Sequence, residues 1–121
     1  MLITKTNLLR LIIVTVFISS NIAFSDCSNV DKPMSGSFFA AVKQKKTSTV
    51  LTTMSKSKCD LNQLALGMYY QYCKNDKNSA KKHYNSALSL APDPAMKMIY
   101  TKQMNKTPAQ VIQFKNKNCP L

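Results

Sequence analysis

Side chains that enzymes use for catalysis are scarce in this sequence. Among its 121 residues there is no glutamate, and only one histidine, His83, and five acidic residues are present. Because general acid–base and nucleophilic catalysis require groups that exchange protons or attack a substrate, this composition argues against an enzyme. Two glycines are also too few for a loop that wraps a phosphate. We therefore predict a protein that is not an enzyme and has no evident small-molecule substrate. A hydrolase built around His83 is the third and weakest alternative.

Closely spaced cysteines, which are typical of zinc sites and redox pairs, are also missing. The four cysteines are Cys27, Cys59, Cys73 and Cys119, and no two of them lie within four residues of each other. We therefore expect no metal and no other cofactor. An even set of widely spaced cysteines in a small exported chain is typical of disulfides.

The first 25 residues predict an export signal. Lys5 and Arg10 accompany an apolar run, and Ala23 and Ser25 fit the small residues that precede a signal-peptidase site. The uninterrupted apolar core is only about ten residues long, well under the roughly 20 that span a bilayer. We expect cleavage between Ser25 and Asp26, which gives a periplasmic or secreted mature protein.

The chain after that site is strongly basic. Of the 17 lysines and arginines, only Lys5 and Arg10 precede the site, so 15 lysines remain, and the whole chain has a formal net charge of +12. Such a surface attracts anionic lipid, envelope polymers or acidic proteins. However, the lysines are spread along the sequence, and arginine, the better fork for phosphate, is lacking. A merely solvated surface therefore stays open as an alternative, and we expect no nucleic-acid partner.

Apolar residues at three- and four-residue steps predict helices throughout residues 37–121. Residues 26–36 are polar, contain Pro33 and Gly36, and predict an extended lead-in. The first helix is expected over residues 37–54, with a break near Thr47 where β-branched residues cluster. The later helices are expected to start at Asp60 with Gln63 as a capping-box-like pair, at Asn78 or Ser79, at Ala95, and at Thr107 with Pro108 in the first turn.

Residues 60–94 carry a recognisable pattern of small and aromatic residues. The residues that form it are Leu66, Gly67, Tyr70, Ala80, Tyr84, Ala87 and Pro92. In this pattern the segment resembles a tetratricopeptide repeat, a helical hairpin of about 34 residues. Gln63 stands where that pattern has tryptophan, and no second copy lies 34 residues upstream or downstream. Small residues at Gly67, Ala80 and Ala87 would let two helices approach closely.

The resemblance implies a protein-binding scaffold. In that family the outward positions of the first helix line a groove, and here they correspond to Leu61, Leu64, Met68, Gln71 and Tyr72. Alternatively, Leu64, Met68 and Tyr72 pack on the preceding segment, residues 38–54.

Helix geometry limits how the cysteines can pair. Cys59 and Cys73 flank one predicted helix and would lie roughly 21 Å apart, whereas a disulfide needs Cα atoms about 4.4 to 6.8 Å apart. Two connectivities remain, 27–59 with 73–119 or 27–73 with 59–119. If successive helices alternate in direction, Cys27 and Cys73 lie at one end of the bundle and Cys59 and Cys119 at the other. We therefore expect the second connectivity.

These observations predict an all-α protein, a small disulfide-braced bundle of antiparallel helical hairpins. The first expected function is an exported module that binds another protein, for example as an accessory of secretion, conjugation or envelope assembly. The alternative is a cationic secreted protein that acts at an anionic membrane or envelope surface.

Overall fold

The computed structural model describes Cys27 and residues 31–120, and this part of the chain is all-helical, without strands. The predicted all-α class is therefore confirmed. The elements are α1 Ser35–Lys43, α2 Ser48–Ser55, α3 Asp60–Met68, a π turn Tyr69–Cys73 that continues α3, α4 Lys77–Leu90, α5 Pro94–Met104 and α6 Pro108–Asn118. The predicted signal peptide, residues 1–25, lies outside the described residues, as do residues 26 and 28–30 of the predicted lead-in. The lead-in is shorter than predicted, because Ser35 and Gly36 already belong to α1.

The first predicted helix is two helices, α1 and α2, with a turn between them. After α1, the Lys46 N–H donates to the Ala41 carbonyl and the Lys45 N–H donates to the Val42 carbonyl. Lys45 has a positive φ of 60°. These bonds and this conformation form a Schellman motif, in which a residue in the left-handed αL conformation terminates the helix. The expected break near Thr47 is confirmed, and the Schellman turn accounts for it.

Helix α3 lies at the centre of the fold and is buried on nearly all sides. One side packs against α1 and α2, where Leu66 and Tyr69 meet Phe38, Val42 and Met54. A helix that contacts neighbours all round leaves little room for large side chains at its crossing points.

The opposite side of α3 packs against α4 and α5. Leu64 contributes here to a second apolar cluster that also contains Ala80, Tyr84 and Ala87 from α4 and Tyr100 from α5. The predicted close packing of the two helices through small residues is confirmed by these contacts.

Gly67 is required where α3 meets α4. A Cβ atom built on Gly67 would lie 2.4 Å from two carbon atoms of the Tyr84 ring, far closer than an ordinary van der Waals contact. The side chain of Tyr84 is 4% exposed, so its ring cannot swing aside into solvent.

The predicted capping box at Asp60 is wrong. Cys59 occupies the N-cap position of α3, and no side chain caps the helix. Asp60 is fully buried, and its Oδ2 accepts a hydrogen bond of 2.5 Å from the Tyr100 hydroxyl. Gln63 points instead to α2 and α4, so both residues connect helices rather than cap one.

The start of α4 also differs from the prediction. Asp76, rather than Asn78 or Ser79, is the N-cap, and its carboxylate accepts bonds from the N–H and the hydroxyl of Ser79. In contrast, the predicted cap of α6 is confirmed: Thr107 and Gln110 form a complete capping box.

The disulfides join Cys27 to Cys59 and Cys73 to Cys119, with Cα–Cα distances of 4.4 and 5.3 Å. The expected pairing of Cys27 with Cys73 and of Cys59 with Cys119 is therefore wrong, and the other connectivity is the one formed. Cys59 and Cys73 do not pair, as predicted.

Two features of the fold explain this correction. The turn after α1 adds one change of chain direction, which returns Cys59 to the end of the molecule where Cys27 lies. In addition, α6 does not continue the alternation; it packs against α1 and the π turn, and the Phe114 ring lies 5.4 Å from that of Phe39. Cys119 therefore ends beside Cys73.

Peptide mapping under non-reducing conditions tests this connectivity. Trypsin alone leaves Cys59 and Cys73 in one peptide, because no lysine or arginine lies between them. Cyanogen bromide, which cleaves after Met68, separates them. We expect one linked pair containing Cys27 and Cys59 and a second containing Cys73 and Cys119. A peptide linking Cys27 to Cys73 would contradict the fold.

A second prediction concerns Gly67. Overpacking a tight contact costs about 1 to 3 kcal/mol, whereas alanine brings a gain of about 1 kcal/mol to a helix interior. We therefore expect Gly67→Ala to lower the free energy of unfolding, by up to about 2 kcal/mol. Urea unfolding of the oxidised protein measures the change. Gly36→Ala in α1 is the matched control; a Cβ there meets nothing within 4 Å, so it should be neutral or stabilising.

Candidate functional site

The five residues predicted to line a groove do not form an open surface. Leu64 and Tyr72 are buried, and Leu61, Met68 and Gln71 are half-buried. The groove prediction is therefore corrected.

Helices α5 and α6 cover this face. The Tyr72 hydroxyl lies within hydrogen-bonding distance, 3.0 and 3.2 Å, of the carbonyl oxygens of Gln103 and Met104, and its ring lies 5.3 Å from that of Phe114. Gln71 donates to the Met104 carbonyl and accepts a bond from the Tyr84 hydroxyl. The alternative, packing on residues 38–54, is also wrong for Leu64, Met68 and Tyr72, because these residues meet the C-terminal helices instead.

Lysines that are distant in sequence meet at one corner of the fold. The ammonium group of Lys43, at the end of α1, donates to the backbone carbonyl of Asn116 near the end of α6, at 2.7 Å. This contact brings two short lysine clusters together. We call this surface the basic corner: Lys43, Lys45, Lys46, Lys115 and Lys117, all exposed.

The described carboxylates are engaged elsewhere in the fold. Asp31 accepts bonds from the Ser57 hydroxyl and the Lys58 N–H, and Asp60 accepts one from Tyr100. Asp76 and Asp93 cap α4 and α5. None of these four aspartates lies on α1, on the turn that follows it or on α6, which are the segments that carry the lysines of the basic corner.

His83 on α4 is the most unusual polar residue of the described chain. It is buried, with 7% of its surface exposed, and its ring stacks on Tyr70 at 5.4 Å. Its Nδ1 atom lies 2.8 Å from Oε1 of Gln63. The Gln63 Nε2 group donates to the carbonyls of Met54 and Ser57, so Oε1 must be the acceptor from His83.

This arrangement fixes the tautomer of His83. Nδ1 carries the proton, and Nε2 is left with a lone pair that no described residue satisfies. Burial, and then the nearby Lys82 ammonium, lower the pKa of His83 below its ordinary value. The imidazole is therefore neutral near pH 7 and accepts hydrogen bonds at Nε2.

Ligand atoms of Cys27, Cys59 and Asp60 lie together within 4.8 Å, but they do not make a metal centre. The two sulfurs are bonded to each other, so they offer no thiolate, which is the form that binds zinc. The group is a disulfide beside a buried carboxylate.

Comparison of the chain with known protein families, with curated proteins and with solved structures found no match. Among the described residues, no helix combines the length and the apolar character that crossing a membrane requires.

The protonation of His83 gives a testable pH dependence. The unfolded chain takes up a proton at a histidine near pH 6.5, whereas folded His83 takes it up only at lower pH. Stability should therefore fall between about pH 8 and about pH 5.5, by at most about 1.4 kcal/mol, because pH 5.5 lies only one unit below the pKa of a histidine in the unfolded chain. Urea midpoints at the two pH values measure this.

His83→Gln is the control for that measurement. The new amide can still donate to Gln63 but does not titrate, so the fall in stability over this range should disappear. Aspartates do not interfere, because their ordinary pKa is near 3.9. An equal fall in both proteins would show that His83 is not responsible.

Proposed function

We propose that this protein is an exported, disulfide-braced helical protein that binds an anionic membrane or envelope surface through its basic corner. One observation carries the proposal: the bond from Lys43 to Asn116 gathers five lysines that the sequence separates by about 70 residues. A lysine near an anionic membrane contributes roughly 1 kcal/mol of binding free energy. Five together therefore give substantial affinity without any deep pocket.

The chemistry of lysine suits a diffuse anionic surface. Its ammonium is a compact, strongly hydrated charge without the planar fork that arginine offers to one phosphate. The lysines of the described chain are exposed, except for the half-buried Lys106. The protein would thus be attracted over a broad area, with the basic corner as the densest part.

The disulfides support export. Disulfides persist in oxidising compartments, such as the periplasm or the extracellular space, and both form here between residues distant in sequence. The basic, apolar segment that precedes Asp26 in the sequence fits the same destination. Signal cleavage near Ser25 remains part of the proposal.

Binding of another protein is the second function, in keeping with the tetratricopeptide-like pattern. It is favoured by two exposed apolar side chains on α5, Met98 at 65% and Ile99 at 43% of their full exposure. The two functions differ in their response to salt. Contacts between apolar side chains are not screened, whereas exposed charges are screened within a Debye length of about 8 Å.

Sedimentation with lipid vesicles tests the proposed function. The oxidised mature protein should bind vesicles that contain phosphatidylglycerol and not vesicles of phosphatidylcholine alone. Binding should be strong at about 0.05 M salt and nearly lost at about 0.5 M. Replacing the five basic-corner lysines by glutamine should weaken binding at least tenfold, since tenfold corresponds to only about 1.4 kcal/mol.

A matched variant separates the basic corner from overall charge. It replaces five other exposed lysines by glutamine: Lys32, Lys56, Lys81, Lys97 and Lys102. This variant has the same net charge and should bind markedly better than the basic-corner variant. Equal loss in both would contradict a localised surface. Retention by envelope extract at high salt, with no binding to vesicles, would favour the protein-binding function.

A further inference from the structure

We propose that a cleft between the α2–α3 connection and α4 binds the phosphate group of a small phosphate ester. The cleft has a volume of about 410 Å³, which lies within the range of small-molecule sites. Its lining is polar, with Lys58 on one side, Lys82 on the other and His83 between the helices. This site is separate from the basic corner and does not depend on it.

The lining offers positive charge and hydrogen-bond donors but no carboxylate. Hydroxyl and amide groups complete the wall, contributed by Ser55, Ser57, Asn85, Ser86 and Ser89. The Ser57 and Ser86 hydroxyls already donate to Asp31 and to the Lys82 carbonyl. Ser55, Asn85 and Ser89 are therefore the donors that a ligand would use. Lysine is a standard partner of phosphate, as a point charge. Two lysines with several hydroxyl groups therefore fit a phosphate better than a cation or an apolar ligand.

The charged groups around the cleft favour an anion. No carboxylate of the described residues lines the cleft. The carboxylate of Asp31 lies behind the lining, where its two oxygens accept 2.6 Å bonds from the Ser57 hydroxyl and the Lys58 N–H. The Lys58 and Lys82 side chains are exposed, so their ammonium groups are accessible to a ligand.

His83 supplies an independent observation at the same place. Its side chain is more than nine-tenths buried, yet Nε2 has no hydrogen-bond partner among the described residues. Nδ1 is held by Gln63, and Tyr70 stacks on the ring, so Nε2 is the one polar atom of the ring left for a ligand. Beside a phosphate oxygen, Nε2 would take up a proton and donate to that oxygen.

The size of the cleft indicates a ligand larger than a free phosphate ion. A phosphate fills only part of such a volume, so a glycerol- or sugar-sized group attached through the ester oxygen fits the rest. The same chemistry occurs in a soluble phosphate ester and in a phospholipid headgroup, and the experiment distinguishes these sources.

The chain contains a single histidine, so the Cε1 proton of His83 is a unique NMR reporter of the cleft. We expect inorganic phosphate, and more strongly glycerol 3-phosphate, to shift this resonance in a saturable way at constant ionic strength. The midpoint of His83 titration should move to higher pH when the site is full, because an adjacent anion stabilises the imidazolium. Chloride at the same ionic strength should cause neither change.

Charge-matched variants decide whether the cleft is responsible. Lys58→Gln with Lys82→Gln should weaken binding of glycerol 3-phosphate at least tenfold, because hydrogen bonds to charged groups contribute about 1.5 to 3 kcal/mol each. The control, Lys97→Gln with Lys102→Gln on α5, removes the same charge and should change the affinity less than threefold. All four side chains are exposed, so folding should not be affected.

Two results would overturn the proposal: no saturable shift of the His83 resonance with either phosphate compound, or equal weakening of binding by the two pairs of substitutions.

A headgroup source is indicated if vesicles of phosphatidylglycerol shift the resonance in the basic-corner variant; a soluble source is indicated if only glycerol 3-phosphate does. Both of these support the cleft. Vesicle binding that disappears with the basic corner, while the phosphate shift persists, would separate this site from the surface function.

Discussion

The buried amide of Gln63 is the interaction on which the arrangement of the helices depends. Its Nε2 group donates to the carbonyls of Met54 and Ser57 at the end of α2, and its Oε1 accepts from His83 on α4. One side chain on α3 thus joins the helices on both sides of it. A buried carbonyl left without a partner costs about 1 to 3 kcal/mol, so the loss of this amide would loosen both neighbours.

Local signals in the sequence predicted the helices and one of their caps, but the caps expected at Asp60 and at Asn78 or Ser79 are wrong. Helical periodicity and the cap at Thr107 depend on residues within a few positions, and these predictions are confirmed. The predicted disulfide pairing was wrong, because the pairing depends on the direction of each helix in space. A lysine in the left-handed conformation, Lys45, ends α1 and adds a turn. The sequence predicted a break near Thr47, but it did not indicate a left-handed turn at Lys45, since glycine is the usual residue there.

The functional surfaces could be predicted only in part. The resemblance to a repeat assigned the outward face of α3 to a groove, but a groove needs neighbouring repeats that leave that face open. This chain has no second copy, so α5 and α6 bury Leu64 and Tyr72 instead. Gln63 stands where the repeat pattern has tryptophan, and here its amide joins α3 to α2 and α4. The basic corner lay beyond sequence reasoning, because Lys43 and Asn116 are 73 residues apart.

The basic surface and the disulfides have opposite effects on the stability of the fold. A formal net charge of +12 on a small chain destabilises the compact state by self-repulsion, and the described carboxylates are held inside or at helix caps. The cross-links counter this effect. Their sequence separations of 32 and 46 residues correspond to about 4 kcal/mol each in a chain-entropy treatment. An anion that binds only the folded protein adds further stability, which grows with the logarithm of the ratio of its concentration to its Kd once that ratio is well above one. A chain with this charge distribution is therefore most stable beside the kind of partner that its surface attracts.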